Sequence, residues 1–120
     1  MLPDVSVSTK KVYENYRHDE ALYNSLNAEI NELLQKNRID LISRLCANML
    51  SKTCFQLHQK LTDVKAAVEA LGLKPICLSG SGSAMFCLLD ERQKSQTKRY
   101  QQMLGKSIGC DSLIVNNNRW

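Results

Sequence analysis

Pro75-Ile76-Cys77-Leu78-Ser79-Gly80-Ser81-Gly82-Ser83-Ala84-Met85-Phe86-Cys87-Leu88-Leu89 decides how the chain is read. Two short apolar runs, 75–78 and 84–89, flank a turn made of two glycines and three hydroxyl residues. Runs of that length bounded by glycine read as strands rather than helical stripes, so the segment predicts a hairpin. A minimal hairpin needs only two turn residues; this turn, Ser79 to Ser83, is longer. Glycine admits positive φ and close backbone approach, and serine adds short-range donors. Such a turn either lines an anion or sugar site with backbone N–H groups or is an ordinary flexible loop, and composition leaves both open. It is not a Walker phosphate loop, because no Gly-Lys-Ser/Thr follows. Nor is it a dinucleotide fingerprint, because the spacing is Gly-x-Gly and a strand comes next.

Upstream of the hairpin the apolar period is helical. Leu22, Leu26, Ile30, Leu33 and Leu34 share one face. Asn37 and Asp40 mark a second helix start, with Ile42, Leu45, Cys46, Met49 and Leu50 on its buried stripe. Leu57, Leu61, Val64, Val68 and Leu71 belong to a third helix, closed by Gly72 in the position where a left-handed residue is usual. These stripes are expected to be core. Nearer the N-terminus, Val5-Ser6-Val7-Ser8-Thr9 alternates like a short strand, and Thr9 is placed to cap a helix running through Tyr16. A strand that runs straight into a helix start concentrates exposed backbone donors at one point. Downstream, a polar helix is expected from about Glu91 to Leu104, ending near Gly105. A last strand at Ser112-Leu113-Ile114-Val115 precedes the polar tail 116–120. This order predicts an α+β domain with a four-stranded, mainly antiparallel sheet and helices packed on one face.

With 120 residues the chain suits one domain, and 43% apolar residues are enough for a core. No stretch approaches the ~18 apolar residues that span a bilayer, and the N-terminus lacks a secretory pattern. A soluble, cytoplasmic protein with no membrane partner is expected. The five cysteines are widely spaced, with no Cys-x-x-Cys pair, so no metal site is expected. Cys77 and Cys87, inside apolar runs, read as small buried hydrophobes in a reducing compartment. Net charge is +4, much of the excess coming from Arg92, Lys94, Lys98 and Arg99. A solvated helix face explains that cluster better than a phosphate-binding one, so no nucleic-acid partner is expected. His18 and His58 have no nucleophile elbow near them. Asp19-Glu20 and Asp90-Glu91 sit at element starts, where capping accounts for them. The residues present supply no complete catalytic set.

Two segments together carry a family resemblance. Pro3-x-Val5-x-Val7-Ser8-Thr9-x-x-Val12-Tyr13 resembles the Pro-x-x-x-Val-Ser-Thr-x-x-x-Tyr stretch that opens the C-terminal domain of the 4-diphosphocytidyl-2-C-methyl-D-erythritol kinases. Leu78 to Phe86 resembles the third motif of the same family, within the GHMP kinase superfamily. The separation of the two segments and the helix ending at Ala70-Leu71-Gly72 also fit. The resemblance implies a single C-terminal domain over residues 1–120 with a ferredoxin-like sheet, the N-terminal ATP-binding domain being absent. It further implies an ATP-dependent kinase, using ATP and Mg2+ in its full-length form. That enzyme phosphorylates the 2-hydroxyl of cytidine-diphosphate methylerythritol in non-mevalonate isoprenoid synthesis, and this chain alone is inactive and without a cofactor. Its partners are then that small-molecule substrate and the missing N-terminal kinase domain.

By the same resemblance Tyr13 stacks on the cytosine ring and Thr9 lines the cleft. Ser79, Gly80, Ser81, Gly82 and Ser83 pack beside the ATP loop and the reacting end of the substrate. No catalytic residue and no metal ligand is carried over, since the family's phosphate loop, catalytic Asp and Lys have no counterpart here. Asn48-Met49-Leu50 departs from the family's Asn-Asp-Leu, so that helix receives no role. Two alternatives stand beside this reading. One is the equivalent domain of another GHMP small-molecule kinase, against which the Val-Ser-Thr-x-x-x-Tyr start argues. The other is a basic α+β RNA-binding module, for which only Phe86 lies on an expected strand, with neighbours that suggest burial.

Overall fold

In the computed structural model residues 1–90 and 92–115 are described; Glu91, in the expected polar helix, and the tail 116–120 lie outside them. Thr9–Asn15 is the first helix, α1, with Val12 turned into the core. Its cap is Ser8, not Thr9: Ser8 is extended, and its hydroxyl accepts from the Lys11 N–H at 3.3 Å. Glu20–Gln35 forms α2, capped by Asp19, whose carboxylate accepts from the Leu22 N–H at 3.0 Å. Ile39–Ile42 is the single turn α3. Ser51–Leu57 is α4 and Gln59–Ala70 is α5. They join at His58, whose φ of −131° breaks what the apolar period reads as one helix. Gly72 closes α5 with φ +90°, as expected.

The strands are shorter than their apolar runs. Leu2–Pro3 (β1) pairs antiparallel with Cys110–Asp111 (β4), and Cys77–Leu78 (β2) pairs antiparallel with Met85–Phe86 (β3). These are two two-stranded ladders rather than one four-stranded sheet. Backbone groups join them at one place, where the Met1 amino group donates to the Met85 carbonyl at 2.9 Å and the Met85 N–H donates back at 3.0 Å. The alternating residues 5–8 are not a strand; Val5 and Val7 pack against the core from a loop. A 3-10 turn at Lys94–Gln96, helix α6 at Thr97–Met103 and a π turn at Leu104–Ile108 occupy the polar segment. Gly109, with φ +65°, ends that run, so the last strand begins at Cys110 and Leu113 to Val115 are exposed instead of paired.

The core unites Val12, Cys54, Leu61, Val68, Leu78, Met85 and Leu104, from both ends of the chain. Fully burying one such large side chain contributes about 1.5–3 kcal/mol. Leu78 and Met85 bracket the glycine turn, so both ends of that turn are fixed by core packing. Two stripe expectations fail. No residue of α2 is buried: α3 is the element it packs against most, and Leu26 and Ile30 line a hollow of about 190 Å³ with Ala47 and Met49. The second helix stops at Ile42, and Cys46, at φ +51°, turns the loop back so that its sulfur bonds Cys77. Cys77 is therefore a disulfide partner rather than a free apolar thiol. Phe86 points outward, 43% exposed.

Candidate functional site

The two motif segments, distant in sequence, meet in space. The Thr9 and Ser81 hydroxyls lie 2.9 Å apart, a hydrogen bond between the first residue of α1 and the apex of the glycine turn. Because Ser8 caps the helix, the Thr9 hydroxyl is released for this contact. Tyr13 is four residues on, so it lies on the same face of α1 as Thr9. Its ring is 60% exposed and its hydroxyl bonds none of the described residues, which leaves an aromatic face open to a ligand. Lys10 and Lys11, both exposed, add positive charge beside Thr9.

The turn is held open as a broad loop. The Ser79 N–H donates to the Ala84 carbonyl at 2.8 Å, and the Gly82 N–H donates to the Ser79 carbonyl at 3.0 Å. Gly80 and Gly82 take φ of +57° and +92°, which L-residues rarely adopt. Gly82 also needs its missing side chain: a Cβ there would stand 2.8 Å from Cys54 Sγ and 3.2 Å from Leu78 Cδ1. The turn is thus pressed onto α4, whose Cys54 is fully buried. Burial pushes the Cys54 thiol above its ordinary range, so it is a protonated packing group and not a nucleophile. Ser79 and Gly80 are exposed, while Ser81, Gly82 and Ser83 are half-buried.

Asn48 is the residue that sequence reasoning set aside. Its Nδ2 donates to the Leu78 carbonyl at 3.0 Å and to the Gly80 carbonyl at 2.8 Å, and its Oδ1 accepts from the Leu50 N–H at 2.9 Å. One amide therefore ties the start of the turn to the loop before α4. Only the shared Asn of the family's Asn-Asp-Leu pointed to it. Asn48 and the turn border an open cavity of about 600 Å³, whose wall includes Ser79, Gly80 and Phe86 but not Thr9, Tyr13 or Ser81. The larger cavity and the Thr9–Tyr13 face are thus two flanks of the same turn.

Neither histidine joins the site. His18 Nδ1 bonds the Tyr16 hydroxyl at 2.9 Å, and His58 sits at the α4–α5 break with Nε2 unpartnered. Among the described residues no group of three or more His, Cys, Asp or Glu side chains is arranged to hold a metal ion. Among them, too, no helix is long and apolar enough to cross a membrane.

Residues 30–101 match the family described as "GHMP kinases C terminal". Among curated proteins, the chain is 30% identical over 103 residues to a 4-diphosphocytidyl-2-C-methyl-D-erythritol kinase of Lachnoclostridium phytofermentans, covering 86% of this chain and 35% of that one. It is 27% identical over 106 residues to the protein of the same name in Clostridium botulinum strain Alaska E43, covering 88% and 38%. The chain thus spans about a third of the length of the curated relatives it matches. No solved structure matches.

Proposed function

This chain belongs to the GHMP kinase C-terminal family, and from that premise we propose that it is the substrate-side domain of a kinase acting on 4-diphosphocytidyl-2-C-methyl-D-erythritol. The whole enzyme transfers the γ-phosphoryl group of ATP, with Mg2+, to the 2-hydroxyl of that substrate, in the cytoplasm. The observation that carries the proposal is the Thr9–Ser81 bond, which makes one wall of the two motif segments. On that wall Tyr13 offers its exposed face to the cytosine ring, and stacking suits it because the ring is flat and apolar. Lys10 and Lys11 suit the diphosphate by charge. Gly80 to Ser83 confine the polyol end. Phosphoryl transfer depends chiefly on positioning and charge stabilisation, so a domain without catalytic side chains still contributes by orienting the acceptor hydroxyl. The ATP-binding part belongs to sequence of the kind that makes up the rest of the relatives' length. As part of the same proposal the chain forms one domain, and the two ladders, joined through Met1 and Met85, are the elements of the family's single sheet.

The exposure of Phe86 on β3 removes one objection to an RNA-binding module, so RNA belongs in the test. Isothermal titration of this chain with the cytidine-diphosphate polyol, homoserine, mevalonate and single-stranded RNA separates the readings. The proposal expects weak binding of the first ligand alone. Tyr13→Phe keeps that binding, and Tyr13→Ala weakens it at least about ten-fold, the order expected for loss of base stacking. Preference for homoserine or mevalonate moves the domain to another GHMP kinase. Salt-dependent RNA binding lost on replacing Arg92, Lys98 and Arg99 contradicts the proposal outright.

A further inference from the structure

The disulfide Cys46–Cys77 lies beside the glycine turn and acts on the same pieces of backbone as Asn48. Cys46 and Asn48 are two residues apart in the loop before α4. Cys77 precedes Leu78, whose carbonyl Asn48 holds, and Gly80 follows two residues later. The covalent bond and the amide clamp therefore connect the same loop to the same strand in parallel, with the two Cα atoms 4.8 Å apart. Cys46 is held at φ +51°, a left-handed conformation that costs a non-glycine residue free energy. Both cysteines lie on the wall of the open 600 Å³ cavity, and Cys46 is half-buried where Cys77 is 3% exposed. The less buried residue of the pair, Cys46, is therefore the one assigned to attack by a small thiol. The remaining thiols are not poised to compete: Cys54 and Cys110 are buried, and burial pushes the Cys54, Cys87 and Cys110 thiols upward.

We infer that Cys46–Cys77 is a reversible thiol-disulfide modification site, whose reduction by a dithiol releases the Asn48 loop and loosens the glycine turn. A thiolate of the dithiol attacks Cys46 Sγ, the Sγ–Sγ bond breaks, and the Cys77 sulfur leaves as a thiolate that takes up a proton. The second thiol of the reductant then attacks the mixed disulfide, loses its proton, and displaces Cys46, which is protonated in turn. Two electrons and two protons pass to the protein, and the reductant ends as its own disulfide. Oxidised, the disulfide and the Asn48 amide together tie the loop before α4 to the turn; reduced, of these two links only the amide remains. Any effect on ligand binding rests on the proposed function, whereas the latch is a property of the backbone and is read without ligand.

The experiment is amide hydrogen exchange, by mass spectrometry, on the oxidised chain, the same chain reduced with dithiothreitol, and the Cys46→Ser and Asn48→Ala variants. Alkylation in denaturant without reductant first counts thiols: three in the oxidised chain and five after reduction, since Cys54, Cys87 and Cys110 are free. Reduction and Cys46→Ser are each expected to raise exchange across residues 43–50 and 79–83 by about five-fold or more, as loss of a local restraint does, with α5 unchanged. Asn48→Ala is expected to raise exchange of the turn further in the reduced chain than in the oxidised one. Five thiols before reduction would overturn the inference. So would unchanged exchange at the turn, or a rise spread equally over α5, which marks a general staple instead of a local latch. Failure of the substrate titration leaves all of these readouts untouched.

Discussion

Replacing Gly82 by alanine puts a methyl group into space the structure does not have. The new Cβ would stand 2.8 Å from Cys54 Sγ, 3.2 Å from Leu78 Cδ1 and 3.8 Å from Leu61 Cδ2. Cys54 and Leu61 are fully buried and Leu78 is 3% exposed, so none of the three can swing into solvent. The backbone adds its own cost, since φ +92° is unfavourable for any residue with a Cβ. A left-handed backbone costs about 1–2 kcal/mol and overpacking about 1–3 kcal/mol, so the substitution is expected to destabilise by about 2–5 kcal/mol. Gly80→Ala is the control: its φ is +57°, but nothing lies within 4 Å of the added Cβ. Only the backbone cost of about 1–2 kcal/mol applies there. Urea unfolding of both variants measures the difference, with the slope checked for constancy. In a double-mutant cycle, Gly82→Ala with Cys54→Ala should recover about 1 kcal/mol of coupling, because the nearest obstacle is gone. Equal losses for Gly80→Ala and Gly82→Ala would refute the packing argument, and so would a coupling of zero.

Asn48→Ala removes three hydrogen bonds around the turn and should lower stability by about 2–3 kcal/mol by urea unfolding, at roughly 1 kcal/mol per bond. Asn48→Asp, which loses both donors to the Leu78 and Gly80 carbonyls, should not restore it. Ser8→Ala should cost about 1 kcal/mol through the lost helix cap, whereas Thr9→Ala leaves that cap intact; thermal melts of the pair check it. Burial raises the thiols of Cys54, Cys87 and Cys110. An unfolded thiol ionises near about 8.5 while these stay protonated to higher pH, so the folded chain binds more protons and stability should fall as pH rises from about 8 to about 10. The urea midpoint at each pH reports this, and Cys54→Ala should shrink the fall.

The helices were legible where one residue type does one job. Gly72 marks a helix end because a left-handed backbone excludes most alternatives, and Asp19 caps α2 through a local bond. Position and pairing were less legible. Apolar period identified α2 as a helix, yet says only that a stripe exists and not what covers it, so Leu22 to Leu34 read as core and are not. The second helix failed because a long-range bond, Cys46 to Cys77 across 31 residues, overrides local period. Thr9 was misplaced by one position: Ser8 and Thr9 are both good caps, and tertiary contact with Ser81 decides between them. The glycine turn itself was readable from composition, and its pairing with α1 came from the family pattern rather than from physical periodicity. Asn48 was hidden because an asparagine that clamps two distant carbonyls looks, in sequence, like one in any loop.

The central claim is that the start of α1 and the glycine turn form one wall facing a cytidine-diphosphate polyol. Amide chemical shifts of this chain, followed while that ligand is titrated into the millimolar range, test it directly. The account predicts shifts concentrated at Thr9, Tyr13 and Gly80 to Ser83, with the Thr9→Val variant weakening the response at the turn and at Tyr13 together. Shifts confined to the Arg92–Arg99 segment or to the exposed face of α2, with Tyr13 and the turn unmoved, would contradict it.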